Sequence, residues 1–293
     1  MPEISCLIVT YKSEKTIGDC LTSVCSDLNG YSAEIIVADN DSQDKTLSIV
    51  QDFSENNSVS IKTIKNEYNF GFARAVNQCI ATAKGEIILL LNPDTVIHSG
   101  FFERMIKALR DNPNIGIVAP QHVNNSGSVI VSCREFPTHL SLLSYVTGLS
   151  FLFPRSPTLS GWKMGYFDHK TSRIVEQPMG AAMMVRMKEI ETVGYMDERF
   201  WMFFNDVDWC RRFRDIGKVA YFLAEARITH FCGQSVKHKP VSMIITSHRA
   251  FYRYFKKYFR GFKWMIPNFI AATILLLTAI LRILFLPLRK QSV

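Results

Sequence analysis

The strongest constraint on this chain is a rhythm in its first 120 residues. Short apolar runs at 4–11, 34–39, 59–65, 86–92 and 115–120 alternate with amphipathic stretches at 14–28, 44–55, 71–83 and 100–111. Runs apolar at successive positions suit strands buried on both faces, and the helices between them supply the cover. The expected fold class is α/β, with a mainly parallel sheet wrapped on both sides. In such a sheet ligands collect outside the carboxyl ends of the strands. Thr10, Tyr11, Asp39, Asp41, Asn92 and Asp94 all fall at those ends.

From 121 to 177 the pattern weakens. Pro137, Pro154, Pro157, Gly148, Gly161 and Gly165 interrupt it, and Leu140-Ser141-Leu142-Leu143 shows no clear period, so a variable region with a loop or lid is expected. Order returns with a strand at 180–186, a helix over Asn205–Asp215 and two short strands at 219–223 and 227–231. No internal repeat or low-complexity segment is present.

Charge separates a body from a tail. The 293 residues carry 34 Lys and Arg against 26 Asp and Glu, a net +8, and the last acid is Glu225. Residues 1–235 hold 23 basic and 26 acidic groups, a net −3, whereas 236–293 hold 11 basic groups and no acid. A globally basic nucleic-acid binder is excluded by that division, and no nucleic-acid partner is expected.

The tail itself has two parts. On a helix, Arg249, Arg253, Lys256, Lys257, Arg260 and Lys263 share one side, and Phe251, Tyr252, Tyr254, Phe255, Tyr258, Phe259 and Phe262 share the other. That pattern suits an interfacial helix with its aromatic face in lipid. Residues 265–286 follow, 22 positions of which 17 are apolar, with Arg282 the single charge. A span needs about 20 apolar residues, so this segment either crosses a membrane or lies on it. Basic residues on both flanks favour contact with anionic lipid. The alternative is a helical hairpin packed on the body or on a second subunit, which keeps a homodimer open.

Seven cysteines, at positions 6, 20, 25, 79, 133, 210 and 232, form no CxxC pair and read as reduced thiols of a cytosolic body. Pro2-Glu3 runs straight into an apolar strand, so no signal peptide is read there.

Three clusters can carry chemistry. Asp39, in Val37-Ala38-Asp39-Asn40-Asp41-Ser42, can accept from a base N–H or a ribose hydroxyl, or can equally serve a strand-end turn or helix cap. Asn92 and Asp94 bracket Pro93, whose extended backbone lets both side chains face one point. Oxygen donors so placed suit Mg²⁺ or Mn²⁺ completed by substrate phosphates, with a capped loop as the alternative. The densest cluster is Phe203-Phe204-Asn205-Asp206-Val207-Asp208-Trp209. A carboxylate among Trp201, Phe203, Phe204 and Trp209 loses solvent, which raises its pKa and suits a general base, although helix capping explains at least one of the two acids. His230 can ligate a metal or be a core histidine.

Taken in order, these motifs resemble the inverting glycosyltransferases of family 2 with the GT-A fold, and among them the bacterial rhamnosyltransferase-type enzymes. The resemblance runs over residues 3–236. It is carried by Ile8-Val9-Thr10-Tyr11, the Asp39 segment, Asn69-Phe70-Gly71-Phe72-Ala73-Arg74-Ala75-Val76-Asn77, Leu91-Asn92-Pro93-Asp94, Gly180-Ala181-Ala182-Met183, Gly194-Tyr195-Met196-Asp197, Asn205-Asp206-Val207-Asp208 and the stretch 230–235.

The resemblance implies a GT-A domain at 1–236, with a nucleotide-sugar-binding half at 1–120 and an acceptor and catalytic half at 121–236, followed by a membrane-associating segment at 237–293. It implies that Thr10, Tyr11 and Asp39 hold the nucleoside, with Asp41, Asn69, Gly71, Arg74, Asn92 and Asp94 lining the donor. Gly180 would let backbone approach the sugar. Asp94 and His230 would hold Mg²⁺ or Mn²⁺, and Asp206 would be the base. Asn205, Asp208 and Trp201 would lie on the acceptor side. Two departures stand out: Asn92 replaces the first acid of the Asp-x-Asp-like motif, and Asn205 stands where Glu is common.

The implied reaction moves a sugar, rhamnose from dTDP-rhamnose by subgroup, to a polyprenyl-diphosphate-linked or polysaccharide-precursor acceptor at the cytoplasmic face of the plasma membrane. UDP- and GDP-sugars are the alternative donors. A processive polysaccharide synthase would add several membrane spans and a Gln-x-x-Arg-Trp motif, and a nucleotidyltransferase a Gly-rich phosphate loop; none is found. An inactive nucleotide-sugar-binding protein would have no need of Asp94, Asp206 and His230 together.

Overall fold

A computed structural model describes residues 1–28, 30–231 and 240–286. The first half follows the expected alternation: β1 Ile4–Thr10, α1 Ile17–Asp27, β2 Ala33–Asp39, α2 Thr46–Glu55, β3 Ser60–Lys65, α3 Phe72–Thr82, β4 Ile87–Leu91, β5 Thr95–Ile97, α4 Phe101–Asp111 and β6 Ile115–Val123. The aperiodic stretch holds short pieces: β7 Val129–Ile130, β8 Cys133–Arg134, α5 His139–Val146, α6 Leu149–Leu152, α7 Pro157–Ser160, β9 Arg173–Val175 and β10 Gln177–Pro178. Then come β11 Ala182–Arg186, α8 Met187–Val193, α9 Asn205–Asp215, β12 Val219–His230, α10 Pro240–Tyr258 and α11 Met265–Leu284.

The main sheet runs β3-β2-β1-β4-β11-β6-β12-β5. Strands β1 to β4 pair in parallel, as do β6 and β12, while β11 lies antiparallel between β4 and β6. The sheet is thus mixed and mainly parallel. Every residue of β1, β4 and β6 is buried, which explains why these strands read as unbroken apolar runs. Two buried clusters cover the two faces, one around α3 and α9, the other around α1 and α4.

Two expectations need correction. The pair of short strands at 219–223 and 227–231 is one strand, β12, with a register irregularity between Leu223 and Arg227. A bulge of that kind breaks the period without ending the strand.

The second correction concerns the tail. Phe251, Tyr254 and Phe255 of α10 are buried in the main core, where Phe251 meets Trp162 and Phe204. Most of the aromatic face therefore packs on protein, because rings of this size find a complementary apolar wall on the body, while Tyr252 and Phe262 stay exposed. Lys257, assigned to the solvated basic side, turns inward to Asp197 and Asp208. What stays exposed is α11, where Ala271 and Leu275 are buried but Ile266, Phe269, Leu276 and Leu284 are open. Among the described residues Phe262–Leu284 is the one helical stretch long and apolar enough to cross a membrane.

Candidate active site

The carboxyl ends of β1, β2 and β4 gather Thr10, Tyr11, Asp39, Asp41, Asn92 and Asp94. Thr10 and Asp39 are opposite one another in the β1–β2 register, and Thr10 Oγ1 donates to Asp39 Oδ2 at 2.7 Å. Asp39 Oδ1 accepts from the Ser42 amide at 2.8 Å. Both residues are buried, so Thr10 orients the carboxylate instead of lining open space. Tyr11 and Asp41 are half-buried beside them, Asp41 with a left-handed φ of +64°.

The next strand end is tied to this one through backbone. Asn40 Nδ2 donates to the Gly71 carbonyl at 3.2 Å, and Asn69 Oδ1 accepts from the Gly71 amide at 3.0 Å. Gly71 has a φ of +91°, and a Cβ there would lie 2.3 Å from Trp201 Cδ1. Only glycine fits, on both counts. Trp201, expected on the acceptor side, thus covers Gly71, expected on the donor side, and the Phe72 amide donates to its carbonyl at 2.7 Å. Arg74 is exposed, its guanidinium 4.0 Å from the Phe70 ring centroid.

Beyond β4, Asn92 and Asp94 sit on a loop that the β5–β12 pairing brings to His230. His230 Nε2 is 3.4 Å from Asp94 Oδ1, and the Phe231 amide donates to the Asp94 carbonyl at 2.9 Å. A carboxylate oxygen and an imidazole nitrogen fit a divalent ion that takes its other ligands from phosphate oxygens, and the imidazole favours Mn²⁺ over Mg²⁺. Among the described residues no cluster of three or more acidic, His or Cys ligands occurs, so this pair would need the substrate's own oxygens. His122 stacks edge-on against His230 at 5.5 Å, and burial, with His230 and His169 nearby, pushes its pKa down to about 3. The remainder of the His230 motif, with Cys232, Gly233 and Ser235, lies outside the described residues.

Asp206 occupies the first turn of α9. That helix starts from Phe204, held at a left-handed φ of +68°, a conformation uncommon for an aromatic residue. Asp206 Oδ2 accepts from the Gly180 amide at 3.1 Å and from Gln177 Nε2 at 3.2 Å, and Oδ1 accepts from the Val207 amide at 2.8 Å. Burial raises the Asp206 pKa above the ordinary carboxylate range, against the opposing effect of those amides and of Arg134. One residue along, the Ala181 carbonyl accepts from the Asn92 amide at 2.8 Å. The pair Gly180-Ala181 therefore links Asp206 directly to the loop that bears Asp94.

Three expectations change here. Gly180 makes its close approach to Asp206 itself, its missing Cβ lying 3.0 Å from Asp206 Cβ. Asn205 is buried and closes its own turn, donating to the Met202 carbonyl at 2.8 Å and accepting from the Asp206 amide at 2.7 Å. Asp208 is fully buried: Oδ2 meets Arg212 Nε at 2.9 Å, and Oδ1 takes Lys257 and the Tyr258 hydroxyl. It anchors α10 to α9, because helical spacing turns residue 208 away from 206.

Two residues near Asp206 were not singled out from sequence. Gln177 contacts Asp206, and Arg134, opposite Gln177 in the β8–β10 pairing, makes no ion pair among the described residues. Burial lowers the Arg134 pKa, while the nearby Asp206 carboxylate opposes that shift. Both lie in the aperiodic stretch, where no spacing singles them out. A Gln-Pro step just before Gly180 was the one local signal.

Residues 5–173 match the glycosyl transferase family 2 description. The chain is 25% identical over 246 residues to N-acetylglucosaminyl-diphospho-decaprenol L-rhamnosyltransferase of Mycobacterium tuberculosis, covering 80% of this chain and 77% of that one. It is 30% identical over 178 residues to poly-beta-1,6-N-acetyl-D-glucosamine synthase of Staphylococcus epidermidis, covering 56% of this chain and only 42% of the synthase. Among solved structures it superposes on a mannosyltransferase of Pyrobaculum calidifontis bound to GDP-Man and Mn²⁺. The TM-score is 0.61 at 16% identity, over 95% of this chain and 74% of that one, a likeness of GT-A fold alone. With a family match over more than half its length on a sheet of this topology, the chain belongs to glycosyl transferase family 2 and is a glycosyltransferase.

Proposed function

We propose that this glycosyltransferase transfers a sugar by a single, inverting displacement from a nucleoside diphosphate, with Asp206 as general base. The observation that carries the proposal is the Gly180-Ala181 link, which ties a half-buried carboxylate to the Asn92-Pro93-Asp94 loop. In this reading Asp206 takes the proton of an acceptor hydroxyl while that oxygen bonds to the anomeric carbon. The bond from that carbon to the diphosphate breaks on the opposite face, so configuration inverts. A raised pKa makes a carboxylate a stronger base near neutral pH. Asp39, with Thr10 and Tyr11, would orient the nucleoside, and Asn69, Gly71, Arg74 and Asn92 would line the donor. Mg²⁺ or Mn²⁺ on Asp94 and His230 would neutralise charge on the leaving diphosphate.

For the donor we favour dTDP-rhamnose, and for the acceptor a polyprenyl-diphosphate-linked saccharide at the cytoplasmic membrane face. The subgroup resemblance supports the dTDP nucleotide, and the name of the mycobacterial relative supports L-rhamnose and a decaprenol-diphosphate-linked acceptor. A thermal-shift screen of dTDP-rhamnose, UDP-sugars and GDP-sugars with Mn²⁺ or Mg²⁺ tests the donor. A true donor binds the native state alone and raises Tm progressively, as the logarithm of its concentration over Kd. A larger shift with a UDP- or GDP-sugar would replace rhamnose in this proposal.

A further inference from the structure

The surface beside the active-site body carries an apolar face larger than α11 alone. Helices α5 and α6 lie in the stretch that reads as aperiodic, and their outward residues are large and open: Leu140, Leu143, Val146, Phe151 at 63% and Leu152 at 71% exposure. Helix α5 adjoins α11 along its length, and α6 packs on α5. His139 Nε2 bonds Asn268 Oδ1 at 2.9 Å near the start of α11, and Tyr145 shares a cavity of 430 Å³ with Leu281, Arg282 and Phe285 near its end. A soluble monomer rarely leaves so broad an apolar surface uncovered.

Two observations identify what covers it. The first is charge. Residues 136–167, which hold α5 and α6, contain Arg155 and Lys163 but no acid, and 240–286 contain seven Lys and Arg and again no acid. Lys163 Nζ sits 4.2 Å from the Tyr145 ring centroid and 5.2 Å from that of Phe151, at the margin of the apolar residues. An apolar face with cations at its margin matches an anionic bilayer, whereas a second copy would set those cations against their like. The second is the course of α11. Asn268 Nδ2 also donates to the Phe259 carbonyl at 2.9 Å, and Ile244 of α10 borders the cavity around Arg282, so both ends of α11 rest on α10. Helix α10 is held to the body by its buried rings and by Lys257 on Asp197 and Asp208. A helix fixed at both ends along the body cannot stand through a bilayer while keeping these contacts.

We infer that α5, α6 and α11 form one in-plane docking face for an anionic membrane, and that α11 lies on the bilayer instead of crossing it. The inference goes beyond the proposed transfer reaction and is read without any sugar nucleotide. The test is flotation of the full chain, carrying a C-terminal epitope tag, with phosphatidylglycerol–phosphatidylethanolamine vesicles and with phosphatidylcholine vesicles. Wild type should float with the anionic vesicles and weakly with the neutral ones. Phe151→Asp with Leu152→Asp, exposed positions whose change should leave Tm within a few degrees, should cut partitioning about tenfold or more although α11 is intact. Protease added outside should remove the tag from vesicle-bound protein. Undiminished flotation of the double variant, or a tag protected on the far side, overturns the inference. So does light scattering that shows a dimer sealed by this face, broken by the double variant, with no vesicle binding in wild type.

Discussion

The backbone amide of Gly180 donates to Asp206 Oδ2 at 3.1 Å, and a Cβ placed on Gly180 would lie 3.0 Å from Asp206 Cβ and 3.4 Å from that oxygen. Asp206 cannot retreat freely, because its other oxygen holds the Val207 amide at the start of α9. Gly180→Ala should therefore displace the proposed base, Asp206, by a few tenths of an ångström while the fold persists. We expect kcat to fall roughly ten- to hundredfold, with overpacking costing about 1–2 kcal/mol of stability. An unchanged kcat in a folded variant would show that this contact does not position the base.

Gly71→Ala tests the close contact between Gly71 and Trp201. The variant meets both a left-handed φ and an indole 2.3 Å from its methyl group, so a loss of about 2–4 kcal/mol is expected by chemical denaturation. Removing the indole in Gly71→Ala with Trp201→Ala should recover the steric part and leave the backbone strain. Strict additivity of the two changes would contradict the contact.

The ion-pair group under α10 gives a stability prediction. Lys257→Met leaves Asp208 with Arg212 and Tyr258, and Asp197 with Arg199. Breaking a buried pair costs about 3–5 kcal/mol, and the remaining cations place this variant at the lower end. Burial works to raise the Asp197 pKa, but hydrogen bonds from Arg199 and Lys257 outweigh it and hold the group below the usual carboxylate range. A depressed folded pKa stabilises above the unfolded value near ~4 and is lost as pH falls through the folded one. Wild type should thus lose stability below about pH 4, and Asp197→Asn should flatten that acid limb.

Asp206 has the opposite sign. Burial raises its pKa, so the folded state favours the protonated form, and ionisation at neutral pH costs stability. Asp206→Asn should be at least as stable as wild type at pH 7. The acid limb of kcat/KM should fall at a pH above that of an ordinary carboxylate, because the base must be ionised to act. A limb at or below the ordinary value would remove Asp206 as the titrating group.

The parallel half of the fold was legible because β1, β4 and β6 are buried on both faces and so leave unbroken apolar runs. Helix α9 was legible to the residue, since Asn205 and Asp215 bound a charged, strongly patterned stretch. The site was legible in part. Asp39, Asp94 and His230 could be listed from strand ends, but the pairing of Asp94 with His230 depends on β5 meeting β12, which are over 120 positions apart. Gly180 read as a ligand contact because a close approach in sequence does not say what approaches. Asp208 read as site chemistry because its partners, Lys257 and Tyr258, come from the tail. The same pairing hid the destination of the aromatic face, for a helix pattern fixes which side is apolar and leaves open what covers it.

The central claim, that Asp206 is the general base, is tested most directly by the single-turnover rate of Asp206→Asn with a saturating donor identified by the screen. Donor binding, measured by the same thermal shift, should persist, since Asn can still accept from the Gly180 amide. The account predicts a rate about 10²–10⁴-fold below wild type. Transfer at the wild-type rate in that variant, with donor bound, would contradict it.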